Sequence, residues 1–322
     1  MASKVWITWH FQARSRNLAK ALDLEIKEYF QNKNVLIRHL FSSIWTIKIL
    51  VKNKPSVIFI QYSYLLLLLL YVYKILKRRN LILVVDCHTK ALRRKAPGIF
   101  NSIFWPLKKL SFKAADLSII SNEGLAKDIK KLHNNFIILP DMIPQIESIN
   151  SKSSFRGDYC VYISSFAVDE PFDEMLKVSE LLRGKLELYW TGKIPPMIEK
   201  YISDYSNIHF TDYLKIDDYY NLIGNAKCLI ALTTEEDCLQ SGAYEAISVE
   251  VPVVISDTYS LKEFFGSAAV YTNIDSNSIY NAILSAINMK EILRKEMQKL
   301  KVKRNIEFEQ KIEKILKFIN SR

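Results

Sequence analysis

Short, dense apolar runs recur along this chain, separated by longer stretches of helical periodicity, and this alternation constrains the fold more than any other feature. KVWITW (4–9), SVIFIQYS (56–63), LILVVDCH (81–88), DLSIIS (116–121) and NFIILP (135–140) are apolar along most of their length rather than at every second position. A strand of that composition has both faces covered, as in a parallel sheet between helical layers. Residues 14–30 place Leu18, Ala21, Leu22 and Ile26 on one helical face, which predicts a helix over that span. Strand and helix in alternation predict a doubly wound α/β domain.

The pattern then breaks and restarts. QIESINSKSSFRG (145–157) is polar, serine-rich and aperiodic, so the domain boundary is expected there. DYCVYISS (158–165), KLELYWTG (185–192), NIHFTDY (207–213), AKCLIALTT (226–234) and VPVVISD (251–257) form a second strand series, followed by a charged helical tail. The expectation is two Rossmann-like doubly wound domains, 1–147 and 148–322, facing across a cleft, with the tail in the second. A chain of 322 residues can bury a full core in each. Ligands of such sheets bind beyond the carboxyl ends of the strands.

Charge divides the halves. Residues 1–150 carry 24 Lys and Arg against 9 Asp and Glu, a net of +15; residues 151–322 carry 21 against 25, a net of −4. The first half is therefore expected to meet something anionic. No nucleic-acid module signature occurs, so nucleic acid is not the expected partner. KALRRKAPGIFNSIFWPLKKLSFKA (90–114) mixes basic residues with Phe100, Phe104, Trp105 and Phe112, a composition suited to an anionic membrane surface. VIFIQYSYLLLLLLYVY (57–73) approaches the length of a membrane span. Gln61, Ser63 and positive charge on both sides favour a buried strand followed by an apolar helix. No N-terminal segment reads as a secretory signal. Cys87, Cys160, Cys228 and Cys238 show neither CxxC nor zinc spacing, so reduced thiols in a cytoplasmic protein are expected.

The stretch richest in chemistry is LIALTTEEDCLQSGAYEAISVEVPVVISDT (229–258). It reads as a strand ending at Thr234, an acidic loop of Glu235, Glu236 and Asp237, a helix beginning near Gln240, and a second apolar strand. Ser241 and Gly242 fall in the first helical turn, whose amides have no intrahelical partner. Together with the helix dipole they make an anion site suited to a phosphate, and glycine lets a backbone approach closely. Glu245, one turn further on, would repel phosphate but can accept from ribose hydroxyls, and the acidic loop can hold sugar hydroxyls. A surface helix with acids at its positive end would carry the same spacing.

These residues resemble the nucleotide-sugar motif of GT-B glycosyltransferases of the family 4 type, in which two acids spaced E-x7-E precede EA and PVV. Here Glu245-Ala246 and VPVVISD match the second half, Asp237 stands for the first acid, and Glu250 replaces the usual small residue before VPVV. TTEEDCLQSGAYEA is also similar to a bacterial surface-polysaccharide subgroup. AADLSIISNEGLAKDI (114–129), IILPDMIP (137–144), YISSFAVDEPFDEML (162–176), YWTGKIPP (189–196) and SLKEFFGSAAVYTN (260–273) follow in the order such enzymes have, so the resemblance spans most of the chain.

The resemblance implies roles. Glu245 would bind the ribose; Asp237, or Glu236 in its place, would contact the donor sugar; Gln240, Ser241 and Gly242 would hold the diphosphate, with Ser165 also on the donor side. Many members carry an Arg and a Lys after the first strand of the C-terminal domain, whereas SSFAVDEP holds no base. Lys193 is the replacement, with Arg14 or Arg16 helping. His10, Arg14 and Arg16, after the first strand, would meet the acceptor. Asp86 and His88 lie at another strand end, and His88 matches a histidine found near the donor sugar. A retaining reaction relies on diphosphate stabilisation; an inverting one needs a base, for which Asp86, His88 and Glu123 compete.

No DxD occurs, so neither metal nor cofactor is expected, and the nucleotide sugar, UDP- or GDP-linked, is a substrate. The implied function is transfer of a sugar to a lipid-linked saccharide or growing surface glycan (capsule, O-antigen or exopolysaccharide). The enzyme would be cytoplasmic and peripheral on the inner face of the membrane. Two alternatives share the fold: a nucleotide-sugar epimerase, and a catalytically degenerate protein serving as a membrane-associated partner subunit.

Overall fold

Strands β1 (Lys4–Thr8), β2 (Glu25–Glu28), β3 (Val57–Gln61), β4 (Ile82–Cys87), β5 (Leu117–Ile120) and β6 (Phe136–Ile138) form one sheet in the order β2-β1-β3-β4-β5-β6, every pair parallel. This computed structural model describes all residues except 1–2, 33, 78–80, 88–91, 93–99, 147–148, 150–154, 156, 197–204 and 322, and only the backbone of 77 and 100–104. Helices α1 (Ala13–Ala21), α2 (Val35–Asn53), α3 (Tyr64–Lys77), α4 (Phe100–Phe112) and α5 (Ala126–Lys130) lie between the strands. Successive strand residues point to opposite faces. Val5, Ile7, Ile58, Ile60, Leu83 and Val85 feed one core, while Trp6, Phe59 and Val84 feed another. That is why these strands read as continuous apolar runs.

The helix predicted over 14–30 is cut short. α1 ends at Ala21, Asp23 turns into the left-handed region (φ 52°), and Glu25–Glu28 leaves as an edge strand beside β1. Charge on an edge strand guards its unpaired side, so its sequence lacks the apolar signature of the central strands. The segment 57–73 is strand β3 followed by α3, and no described helix is long and apolar enough to cross a membrane.

The second sheet holds β7 (Tyr159–Tyr162), β8 (Glu187–Trp190), β9 (Ile208–Phe210), β10 (Cys228–Ala231), β11 (Val253–Ser256) and β12 (Val270–Thr272), in the parallel order β12-β11-β10-β7-β8-β9. Its helices are α6 (Phe172–Leu182), α7 (Ile216–Gly224), α8 (Ser241–Val249), α9 (Tyr259–Phe265), α10 (Ser276–Asn288) and α11 (Lys290–Asn320). Tyr159, Val161, Leu229 and Val253 pack on one face and Cys160, Tyr162, Ile230 and Val254 on the other. None of the four cysteines forms a disulfide, and burial pushes the Cys160 thiol up to about 12.

The chain divides into two compact units, Met1–Met142 with Glu307–Arg322, and Ile143–Ile306. The end of α11 counts with the first unit because Phe308, Ile312, Ile315 and Ile319 are buried in the same core as Trp6 and Phe59. Strand order reverses between β1 and β3 in the first sheet and between β7 and β10 in the second. Ligands of doubly wound sheets bind at the carboxyl ends beside such a reversal.

Candidate functional site

In the second unit, the chain leaving β10 runs through the acidic loop and enters α8 at Ser241. Gln240 occupies the N-cap with extended backbone, but its side chain turns away from the helix amides and Nε2 donates to Leu232 O at 2.6 Å. The Gln240 side chain therefore makes no capping hydrogen bond to the helix start. The Gln240 Oε1 is a buried acceptor without a partner among the described residues. Ser241 is exposed and Gly242 buried. A Cβ on Gly242 would lie 2.8 Å from Cγ2 and 2.9 Å from Cβ of Ile163, just past β7. Close packing of α8 on the end of β7 therefore needs this glycine, independently of any ligand.

Glu245 is half-buried and accepts a short hydrogen bond from Tyr219 Oη of α7. Burial raises the Glu245 pKa, and the Tyr219 bond only partly opposes the shift. Tyr219 is itself raised, first by burial and then by the Glu245 charge. No local pattern marks Tyr219, because its partner stands 26 residues further on.

Two of the three acids in the loop brace the fold. Asp237 is buried and accepts from Ser260 Oγ at 2.9 Å. Glu236 is exposed and accepts from Tyr259 N at 2.6 Å, at the start of α9, whose N-cap is Thr258. Glu235 is half-buried, and its N–H donates to Thr233 Oγ1 at 3.1 Å.

The loop after β7, expected to lack a base, is organised around a carboxylate instead. Glu170 accepts from Ser164 Oγ (2.5 Å), Ser165 Oγ (2.9 Å), Ser165 N (3.0 and 3.1 Å) and Ala167 N (3.3 Å). Ser165 thus spends both its hydroxyl and its amide on Glu170. Phe166 is left-handed (φ 56°) and stacks on Trp190 at 5.6 Å. Such a turn gathers successive donors into an anion-binding concavity. Asp169 ties this loop to β10, accepting from Thr233 Oγ1 at 2.9 Å and from Thr234 N at 2.8 Å. Gly192, with φ 100°, has no room for a side chain, since a Cβ would fall 2.4 Å from Ser164 O. Lys193 beside it is exposed, on a backbone fixed by the Gly192–Asp212 bridge and by Ile194 N donating to Asp212 Oδ1 at 3.1 Å.

In the first unit, Arg14 is buried rather than presented to a ligand. Its Nε and Nη2 donate to Asp86, its Nη1 to Asp141 at 2.6 Å, and its Nη2 also to Leu139 O at 2.9 Å. Burial opposes the Arg14 charge, but Asp86 and Asp141 outweigh it and the pKa is raised. Asp86, at the end of β4, is committed to this pair. Arg16 is exposed and forks onto Glu28, 2.8 Å from Oε2. His10 is exposed past β1, its pKa lowered by partial burial and then by Arg38 and His39. Glu123 is exposed in the short turn after β5. His88 lies outside the described residues. Lys108, unforeseen as a site residue, is buried, donates to Leu92 O at 2.6 Å and lies over the Tyr62 ring; burial lowers its pKa. Of the basic-aromatic stretch 90–114, Phe112 and Lys108 turn inward, Trp105 faces out, and most of the rest, Phe100 and Phe104 included, lies outside the described side chains.

No protein family matches the sequence, and no curated protein is similar to it. Solved structures are. HepE of Anabaena in complex with UDP superposes with a TM-score of 0.74 at 11% identity, over 99% of this chain and 100% of that one. WaaG, a glycosyltransferase involved in lipopolysaccharide biosynthesis, gives 0.68 at 12% identity, over 98% and 99%. A UDP-N-acetylglucosamine 2-epimerase gives 0.59 at 11% identity, over 92% and 90%. At such identity the likeness carries the fold, and the fold of this chain is GT-B: two parallel, doubly wound α/β units in one chain.

Proposed function

We propose that this chain is a glycosyltransferase that takes a sugar from a UDP- or GDP-linked donor and passes it to a lipid-linked saccharide or growing surface glycan. The observation that carries this reading is the pairing of a helix start at Ser241 and Gly242, which the Gln240 side chain does not cap, with Glu245 one turn further on. Amides at a helix start favour phosphate oxygens, and a carboxylate held by Tyr219 is suited to accept from a ribose diol. The unpartnered Gln240 Oε1 adds an acceptor at the same helix start. UDP in the HepE structure supports a nucleotide ligand on this fold. Lys193 would meet the diphosphate, Asp237 or Glu236 the donor sugar, and His10 or His88 the acceptor. Arg14 and Asp86 would act by holding strand ends in place.

The reading includes retention of configuration and independence of metal, for which the sequence offers no DxD. The basic first half supports an anionic, membrane-bound acceptor, and with it a peripheral place on the inner membrane face. One observation favours a second reading, a non-catalytic partner subunit: Glu170 fills the loop where a base would serve the diphosphate. Thermal shift against UDP, GDP, CMP and dTDP with their sugars, on the parent and Glu245→Ala, tests the first reading. Stabilisation by one nucleotide that disappears in the variant is expected. No shift with any nucleotide, or binding without donor hydrolysis or transfer, would overturn the first reading and select the second.

A further inference from the structure

The helix α2 is inside out. Its buried side carries Ser42 and Thr46 along with Leu50, and Thr46 accepts from Trp9 Nε1 at 3.0 Å. Its solvent side carries Leu36 (79% exposed), Leu40 (60%), Phe41, Ile44, Ile47 and Val51 (58%). Positions 36, 40, 44, 47 and 51 recur at steps of four, four, three and four, which is one continuous stripe along a helix. At 19 residues the helix runs for about 28 Å. α3 packs beside it through Tyr73 Oη on Leu50 O at 3.3 Å and exposes Ile75 and Leu76. Apolar area this continuous on a soluble face marks a docking surface.

Charge identifies what docks. Between Glu28 and Asp86 the sequence contains no Asp or Glu, while Arg38, Lys48, Lys52, Lys54 and Lys74 lie within it. Lys48, Lys52 and Lys54 are exposed around the C-terminal part of α2. A second copy docked through the same face would bring no carboxylate from its own residues 29–85 to these cations. An anionic bilayer complements them: the apolar stripe enters the acyl boundary, and the lysine ammonium groups reach back to the phosphates.

We propose that α2, flanked by α3, is the surface through which this chain docks on an anionic lipid bilayer. The inference rests on the membrane-bound acceptor of the proposed function but names a different element from the 90–114 stretch that composition singled out. The helix lies in the interface plane with its stripe down, and the carboxyl ends of the first sheet are held at a fixed distance from the lipid headgroups.

Flotation of the purified chain with vesicles tests this without any nucleotide, so its outcome is separate from that of the transferase reading. Equimolar phosphatidylcholine and phosphatidylglycerol vesicles should carry the chain upward, while phosphatidylcholine alone binds on the order of tenfold less. Leu40→Ser with Ile44→Ser, both at exposed positions, should reduce binding to the anionic vesicles on the order of tenfold with an unchanged melting curve. Lys48→Gln with Lys52→Gln should remove the lipid preference. No flotation on anionic vesicles, or flotation indifferent to the α2 variants, overturns the proposal. A concentration-dependent dimer abolished by Leu40→Ser with Ile44→Ser would instead assign the face to a second copy.

Discussion

Arg14 and Asp86 face each other as a buried two-toothed ion pair: Nε lies 3.1 Å from both carboxylate oxygens and Nη2 2.9 Å from Oδ1. The pair joins the helix after β1 to the end of β4, and Asp141 and Leu139 O complete the arginine's bonding. Both side chains are nearly inaccessible, at 5% and 0% exposure. The pair therefore fixes the strand ends from which His10 projects.

Removing one partner leaves a buried charge alone. Arg14→Ala is expected to cost about 3–5 kcal/mol in urea unfolding. Arg14→Met combined with Asp86→Leu should recover much of that loss, since a matched apolar pair removes both charges. A single variant costing less than about 1 kcal/mol would show that water reaches the site.

Glu245 should make stability fall with rising pH. Burial raises its folded pKa above the unfolded value, so the folded chain binds the proton more tightly between the two values. Stability then declines as pH rises through that interval, and the penalty persists at neutral pH. Glu245→Gln abolishes the slope, so its melting temperature should match or exceed the parent's at neutral pH and converge on it in acid. The same variant should lose nucleotide binding. Tyr219→Phe strips the carboxylate of its donor and should cost about 1–3 kcal/mol. A parent whose stability rises with pH relative to Glu245→Gln would reverse this account.

Gly242→Ala tests whether the glycine serves packing. The new Cβ would meet Ile163 at 2.8–2.9 Å, so overpacking of about 1–3 kcal/mol is expected. Ile163→Ala in the same chain should relieve the clash and, measured as a double-mutant cycle, restore part of the stability. If Gly242→Ala instead keeps full stability and loses only nucleotide binding, ligand approach is the reason for the glycine.

The central strands were legible because burial on both faces leaves a mark in each residue. β2 was not: Glu25, Lys27 and Glu28 guard an edge, and charge there resembles an exposed helix. Periodicity can announce an apolar stripe but not its direction, so nothing in 35–53 told that Ser42 and Thr46 face in and Leu36 and Leu40 face out. In the candidate site, the helix start and Glu245 were legible from local spacing. Their supports were not: Tyr219 and Ser260 reach Glu245 and Asp237 from 26 and 23 residues away, and only the fold brings them together.

Glu170 has a different reason for escaping notice: SSFAVDEP is marked by the base it lacks, and no local spacing singles out its acids as the centre of the loop. In the structure that acid occupies a seat built from the hydroxyls of Ser164 and Ser165 and the amides of Ser165 and Ala167. Four donors converging in a left-handed turn would serve a phosphate equally well. A diphosphate approaching the start of α8 would meet the Glu170 charge next to β7. Glu170→Gln keeps the side chain's length and removes that charge. Titration calorimetry is expected to show inorganic phosphate and the donor nucleotide binding on the order of tenfold more tightly to this variant, with the gain shrinking at high salt. Equal or weaker binding would mean that Glu170 holds the loop in its binding shape and that the diphosphate sits elsewhere, nearer Lys193.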